Sequence, residues 1–293
     1  MVSAFLFSAK ALLAKLVYRD VSIDVIAVLM MRMLYALPFY AVSLAIALHK
    51  KNYRRADGQK LSVPRIAAVV ALGVVGYYIS SYLDFFGLKY ISAGLERIIL
   101  FAYPSVVVII ETLVFKKPFT KVIAISLLLC YVGIIISYAA DVQLNAGEGT
   151  LLGSLAVLLC AITFAVYVVW SGKIIASTGV SIFTPIAMLG ATCAILLHAF
   201  IGGYQTVILA LSPKVHFYFL LMGVFATVVP SFLTVMGLRI IGSSNVAIVS
   251  SIGPLATIFL AWWLLAEPFG WWQLWGSLLV IAGVLLLSLK GKN

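Results

Sequence analysis

Long apolar runs separated by short polar connectors fill the chain from end to end. Each run is about as long as a bilayer requires, which is about 20 residues within a range of roughly 17–25. Ten segments qualify: residues 2–18, 25–48, 64–88, 91–115, 120–139, 150–173, 181–201, 215–238, 244–266 and 269–289. The pattern predicts an all-α integral membrane protein of ten transmembrane helices, because a helix satisfies its own backbone polar groups in lipid. The first run has no polar flank before it, so the helix starts at the membrane face or the chain continues upstream. Lys10 and Lys15 lie inside that run, which argues against a cleavable signal peptide.

Polar positions within the runs fall into stripes. Tyr77, Ser80, Ser81 and Asp84 recur at spacings of three and four and share a face, as do Glu96, Leu100 and Tyr103. Thr163, Tyr167 and Trp170 form a third stripe and Thr227, Ser231 and Thr234 a fourth, while Ser250, Ser251 and Pro254 cluster. Such stripes suit a mildly polar, aromatic-lined cavity. They equally suit helix packing through hydroxyl groups.

The pattern also repeats. Residues 73–138 lie over 223–288 without a gap, pairing Gly73 with Gly223, Ser81 with Ser231, Gly87 with Gly237, Pro104 with Pro254, Pro118 with Pro268, Phe119 with Phe269 and Gly133 with Gly283. Proline and glycine mark kinks and close contacts, so their coincidence carries more information than that of Leu or Val. The chain therefore divides into related halves, 1–139 and 145–290. Five helices is an odd number, so the second half enters the membrane with opposite polarity. Inverted repeats of this kind are typical of secondary transporters.

Composition agrees. Of 293 residues, 64% are hydrophobic and 10% charged, and the mean hydropathy is +1.18. No aqueous fold of this size covers so much apolar surface. The net charge of +11 would hint at nucleic acid on a soluble protein. Here no polar domain exists to carry a basic face, so nucleic acid is excluded as a partner. Thirteen cations, Lys50, Lys51, Arg54, Arg55, Lys60, Arg65, Lys116, Lys117, Lys121, Lys173, Arg239, Lys290 and Lys292, fall on one set of connectors and the C-terminal tail. The opposite set holds Arg19, Lys89 and Lys214 together with Asp20, Asp24, Asp141, Glu148 and Glu267. The positive-inside rule then predicts a multi-pass protein of the cell (inner) membrane with both termini cytoplasmic. Cys130, Cys160 and Cys193 lie singly in apolar runs and signal neither a metal site nor a disulfide framework.

An ionisable group in the bilayer core costs about 2.5–3.5 kcal/mol or more, so each needs a reason. Lys10, Arg32, Asp84, Glu96, Arg97 and Glu111 are the candidates, all in the first half. They can neutralise one another and lock helices together. Alternatively, some can hold a substrate. The substrate reading assigns Lys10 and Arg97 to an anionic group and Glu96 to proton coupling, with Arg32, Tyr77, Ser81, Asp84, Tyr103, Tyr167, Trp170, Ser231 and Ser250 around them. Pro104 and Pro254, read as mid-helix prolines, are expected hinges beside the cavity. Trp262, Trp263, Trp271, Trp272 and Trp275 read as an interfacial belt. No Walker-type phosphate cradle occurs and no cofactor is expected. His49, His198 and His216 are scattered without an evident partner.

The stretch Gly87-Leu88-Lys89-Tyr90-Ile91-Ser92-Ala93, followed by Tyr103-Pro104 and Lys117-Pro118-Phe119, is echoed by Gly237-Leu238-Arg239, Gly253-Pro254 and Ala266-Glu267-Pro268. This resembles the EamA-type branch of the drug/metabolite transporter superfamily. The resemblance spans essentially the whole chain. It implies ten helices, both termini inside, and a central cavity lined by the first four helices of each half, with the fifth and tenth to the side. It further implies efflux or exchange of amino acids, other metabolites or drugs. The chain departs from the pattern in having Lys116-Lys117-Pro118 where the second half has Ala266-Glu267-Pro268. Small multidrug exporters of the superfamily rely on a first-helix glutamate, where this chain carries Lys10 and Lys15.

The expected function is secondary active transport, by alternating access, of a small metabolite, an amino acid or related amphiphile, in the export direction. Protons are a candidate coupling ion, and the protein is a monomer or homodimer. A phosphorylated-sugar or nucleotide-sugar exchanger would want more buried cations in the second half. A membrane-embedded transferase would need a catalytic constellation that the scattered histidines do not supply.

Overall fold

A computed structural model describes residues 2–49, 62–116, 118–145, 149–250, 253–266 and 270–289. Every regular element among them is helical. The helices are α1 (Val2–Asp20), α2 (Val25–His49), α3 (Val63–Gly73), α4 (Ser80–Gly87), α5 (Ala93–Leu100), α6 (Tyr103–Phe115), α7 (Lys121–Asn145), α8 (Thr150–Thr178), α9 (Val180–Ile201), the short α10 (Val207–Ala210), α11 (Pro213–Gly223), α12 (Val229–Ser250), α13 (Gly253–Leu265) and α14 (Trp271–Leu289). Among the described residues, seven continuous or nearly continuous stretches are long and apolar enough to cross a bilayer: Val25–His49, Val63–Gly87, Ala93–Phe115, Lys121–Gln143, Thr150–Thr178, Val180–Ile201 and Pro213–Ile240.

Three of these stretches are not plain α-helices. π-helical turns at Val74–Ile79 and Val224–Val228 join α3 to α4 and α11 to α12. The stretch expected as one helix over 91–115 is broken at Phe101–Ala102 into α5 and α6. Pro104 therefore lies in the first turn of α6 rather than mid-helix, where its missing N–H costs nothing. Pro254 is likewise the second residue of α13. The mid-helix placement of both prolines is thus corrected. The backbone also stays helical to Ser250, through the connector expected near 239–243. That connector contains Gly242 but no proline, so nothing forces the backbone out of its own hydrogen bonds.

Several features recur at an interval of 150 residues. The π turns follow Gly73 and Gly223 directly. Helices α6 and α13 each run 13 residues and are followed by Lys116 and Ala266, both left-handed with φ 53°. Close approaches recur too. A Cβ on Gly73 would strike the backbone of Ala187 in α9, and one on Gly223 would lie 2.9 Å from the Arg32 carbonyl in α2. On the long antiparallel pair α7 and α14, Gly133 abuts Gly276 while Gly283 abuts the Ser126 carbonyl. Adding 150 to 133 and to 126 exchanges these two contacts. Small residues let backbones approach closely where lipid provides no hydrophobic drive for helix association.

First-half helices pack largely against second-half helices: α2 on α9, α3 on α9, α4 on α8, α11 on α2, and α1 on α12 and α13. The candidate site lies along this seam.

Candidate functional site

A cavity of about 100 Å³ opens among α1, α2, α4–α6, α8, α12 and the two π turns. Lys10, Arg32, Asp84 and Arg97 supply its charge. Tyr77, Phe101, Tyr103 and Phe164 supply aromatic walls, and Ser80, Ser81, Thr227 and Thr234 supply hydroxyls. Both π turns reach it, through Gly76 and Tyr77 on one and Ala226 and Thr227 on the other. A π turn shifts the helical register by one residue, and here it turns tyrosine and threonine side chains toward the cavity. Thr227 donates to the carbonyl of Met222, five residues back, at 2.8 Å.

The charged groups are arranged unequally. Lys10 Nζ donates to Asp84 Oδ2 in a buried ion pair between α1 and α4. Arg97 Nε donates to Thr257 Oγ1 of α13 at 3.2 Å and lies 4.0 Å from Glu96 Oε2. Glu96 and Asp84 are both fully buried, and their carboxyl groups lie near one another. Neither oxygen of Glu96 receives a hydrogen bond from a donor, nor does Asp84 Oδ1. Arg32 is 3% exposed, and its guanidinium carbon lies 5.0 Å from the Phe85 ring centroid. Its Nε and Nη2 have no hydrogen-bond partner.

The local sequence fixes these positions. Ser92 caps α5 by accepting from Leu95 N at 3.0 Å, which sets the helix that carries Glu96 and Arg97. Asp141, at 0% exposure, accepts from Ser92 Oγ and, at 3.1 Å, from Gln273 Nε2. It thereby ties the start of α5 to α7 and α14. Asp141 had been expected in a connector, and its place within α7 corrects that reading. Gly76 admits Tyr167, since a Cβ there would overlap the Tyr167 ring. Tyr167 then meets Tyr77, with ring centroids 5.1 Å apart and hydroxyls at 3.5 Å.

Of the residues named from sequence, Lys10, Arg32, Tyr77, Ser81, Asp84, Arg97 and Tyr103 line the cavity. Glu96 and Tyr167 stand directly behind it, against Arg97 and Tyr77 respectively. Two expectations fail. Ser231 is fully buried, bonded to Tyr40 Oη at 2.8 Å and to the Val228 carbonyl at 2.7 Å, so it closes the α2–α12 contact instead of lining the site. Trp170 packs on Phe115, two turns of α8 from Phe164, outside the lining. The Ser250 and Pro254 side chains lie outside the described residues. Two of the three histidines also acquire partners: His198 Nδ1 meets Tyr78 Oη at 2.7 Å, and His216 Nδ1 meets Tyr35 Oη at 2.9 Å. Phe85, Cys160, Phe164 and Thr257 were not foreseen, because nothing distinguishes them from other residues of uniformly apolar helices. Among the described residues, no three His, Cys, Asp or Glu side chains converge as metal ligands.

Apolar helices of this length around a buried, charged cavity define a multi-pass membrane protein. A family model for EamA-like transporters matches residues 1–139 and again 151–289, and the chain belongs to that family, which places it among membrane transporters. The chain is 27% identical over 302 residues to the uncharacterized transporter YcbK of Bacillus subtilis (strain 168), covering 100% of this chain and 94% of that protein. It is 22% identical over 227 residues to the uncharacterized transporter YdfC of the same organism, covering 77% and 72% respectively. Its fold matches a crystal structure at a TM-score of 0.64 and 15% identity, over 99% of this chain and 98% of that one.

Proposed function

We propose that the protein is a secondary active transporter that moves a small metabolite, an amino acid or related amphiphile, outward across the inner membrane by alternating access. The observation that carries this is the placement of the charged cavity on the seam between the halves, where relative movement of the halves changes access to it. The site has aromatic walls for an apolar body, hydroxyls for polar groups and cations for a carboxylate.

The architecture in this reading is ten spans in two inverted five-helix repeats, 1–139 and 145–290, with both termini cytoplasmic. Its support is the recurrence at 150 residues of π turns, half-helices and left-handed caps, and the exchange symmetry of the α7–α14 contacts. A dyad in the membrane plane would relate such antiparallel helices. The half-helices α6 and α13 begin at Pro104 and Pro254, and the breaks before them serve as hinges. Glu96 carries the coupling proton, since its fully buried oxygens receive no hydrogen bond and face Asp84.

The test is uptake of a labelled amino-acid panel into proteoliposomes with an imposed proton gradient. Wild-type protein accumulates at least one member, and Glu96→Gln loses the gradient-driven part while retaining exchange. Well-folded wild-type protein that carries no member would exclude amino acids and direct the search to phosphorylated sugars and nucleotides.

A further inference from the structure

Three buried cations, Lys10, Arg32 and Arg97, share the site with two carboxyls, Asp84 and Glu96. Even with both acids ionised, at least one positive charge is left over in a setting where uncompensated charge is expensive. Geometry singles out which cation. Lys10 is committed to Asp84, and Arg97 is held by Thr257 beside Glu96. Arg32 stacks by Phe85 and leaves both Nε and Nη2 without a partner, at 3% exposure and on the cavity wall. Those two nitrogens form one edge of the guanidinium, a fork that matches the two oxygens of a carboxylate. A buried donor left unsatisfied is costly, so an unpartnered fork on a residue of the cavity wall is a place for a ligand atom pair.

We propose that the Nε/Nη2 edge of Arg32 is the primary contact of the transported solute, and that the solute is a carboxylate with an apolar or aromatic body. This rests on the transport reading above and narrows its substrate class. A carboxylate is favoured over a phosphate because a single unpartnered fork matches the two oxygens of one carboxylate, while the other two cations already have partners. Tyr77, Phe101, Tyr103 and Phe164 receive the apolar body beyond the carboxylate. Arg32, rather than Lys10 or Arg97, is therefore the anion receptor.

The experiment is thermal unfolding of the purified full chain with three probes that share one ring and differ in head group: 3-phenylpropionate, phenethylamine and phenyl phosphate. Wild-type protein is stabilised by 3-phenylpropionate and not by phenethylamine. In Arg32→Gln the 3-phenylpropionate affinity falls by about tenfold to a hundredfold, the loss expected for a charge-assisted bidentate contact. Arg32→Lys, which keeps the charge without the fork, weakens it nearly as far. The inference is overturned if phenethylamine is preferred, if no probe binds wild type, or if folded Arg32→Gln retains 3-phenylpropionate affinity. Tighter binding of phenyl phosphate overturns the carboxylate assignment in favour of a phosphate. Should Arg32→Gln fail to fold, the wild-type order of the three probes decides alone. Solute exchange in proteoliposomes separates the two readings. Exchange of a neutral or cationic solute that is unaffected by Arg32→Gln removes the anion inference and leaves transport standing. Absence of exchange for every solute removes transport itself.

Discussion

Lys10 and Asp84, 74 residues apart in the chain, form an ion pair inside the helix bundle and join α1 to α4. Two charges that would each be costly in lipid become tolerable together. Removing one strands the other, at a cost of about 3–5 kcal/mol. Lys10→Met and Asp84→Leu should therefore each lower the unfolding temperature sharply in detergent. The double variant should recover most of the loss, because a stranded charge, more than the lost attraction, dominates each single change. Thermal unfolding of all four proteins completes the cycle.

The α7–α14 seam predicts a graded response to single methyl groups. Gly276→Ala places a Cβ 2.6 Å from the Gly133 carbonyl and closer still to Ser137 Oγ, so the helices must part. Folded yield should drop. Gly172→Ala is the control, since nothing lies within 4 Å of a Cβ there. Within helix α8 that change should stabilise by about 0.5–1 kcal/mol. Equal effects of the two changes would contradict the close approach.

Asp141 predicts an effect on α5 from outside the cavity. It accepts from Ser92, which itself caps the helix bearing Glu96 and Arg97. Asp141→Ala should speed amide hydrogen exchange over 93–100 and leave α8 unchanged. Ser92→Ala should do the same at a cost of about 1 kcal/mol, the usual value of a lost N-cap. Unaltered exchange in both variants would show that the contact does not hold the helix start.

The cation bias of the connectors predicts topology. Cysteines placed at residues 52 and 292 of a cysteine-free chain should be closed to an impermeant thiol reagent in intact cells and open after permeabilisation. A cysteine at 203 should react in intact cells. The opposite pattern would invert the orientation.

Much of this was legible in the sequence. Buried charge stands out against apolar runs, so Lys10, Arg32, Asp84 and Glu96 were visible, and all of them gather at one site. Gly73 and Gly223 announced the repeat because a close backbone contact tolerates no side chain. The direction each residue faces was less legible. Helices that are hydrophobic all round carry little amphipathic signal, so the stripes containing Ser231 and Trp170 matched in spacing but not in destination at those two residues. The π turns left no composition signal, and they shift the register of Tyr77 and Thr227. Asp141 read as a connector residue because α7 runs to Asn145, further than hydropathy alone suggested.

Counterflow tests the central claim, that the charged cavity is the site of a carrier, most directly. Proteoliposomes holding the wild-type chain are preloaded with an unlabelled amino acid and diluted into a trace of the labelled one, with no ion gradient. A carrier gives transient accumulation of label above the outside concentration, for at least one member of the panel, and Arg32→Gln abolishes it. Label that only equilibrates would indicate a channel-like pore, and accumulation unchanged by Arg32→Gln would place the substrate elsewhere. Either result would contradict the account.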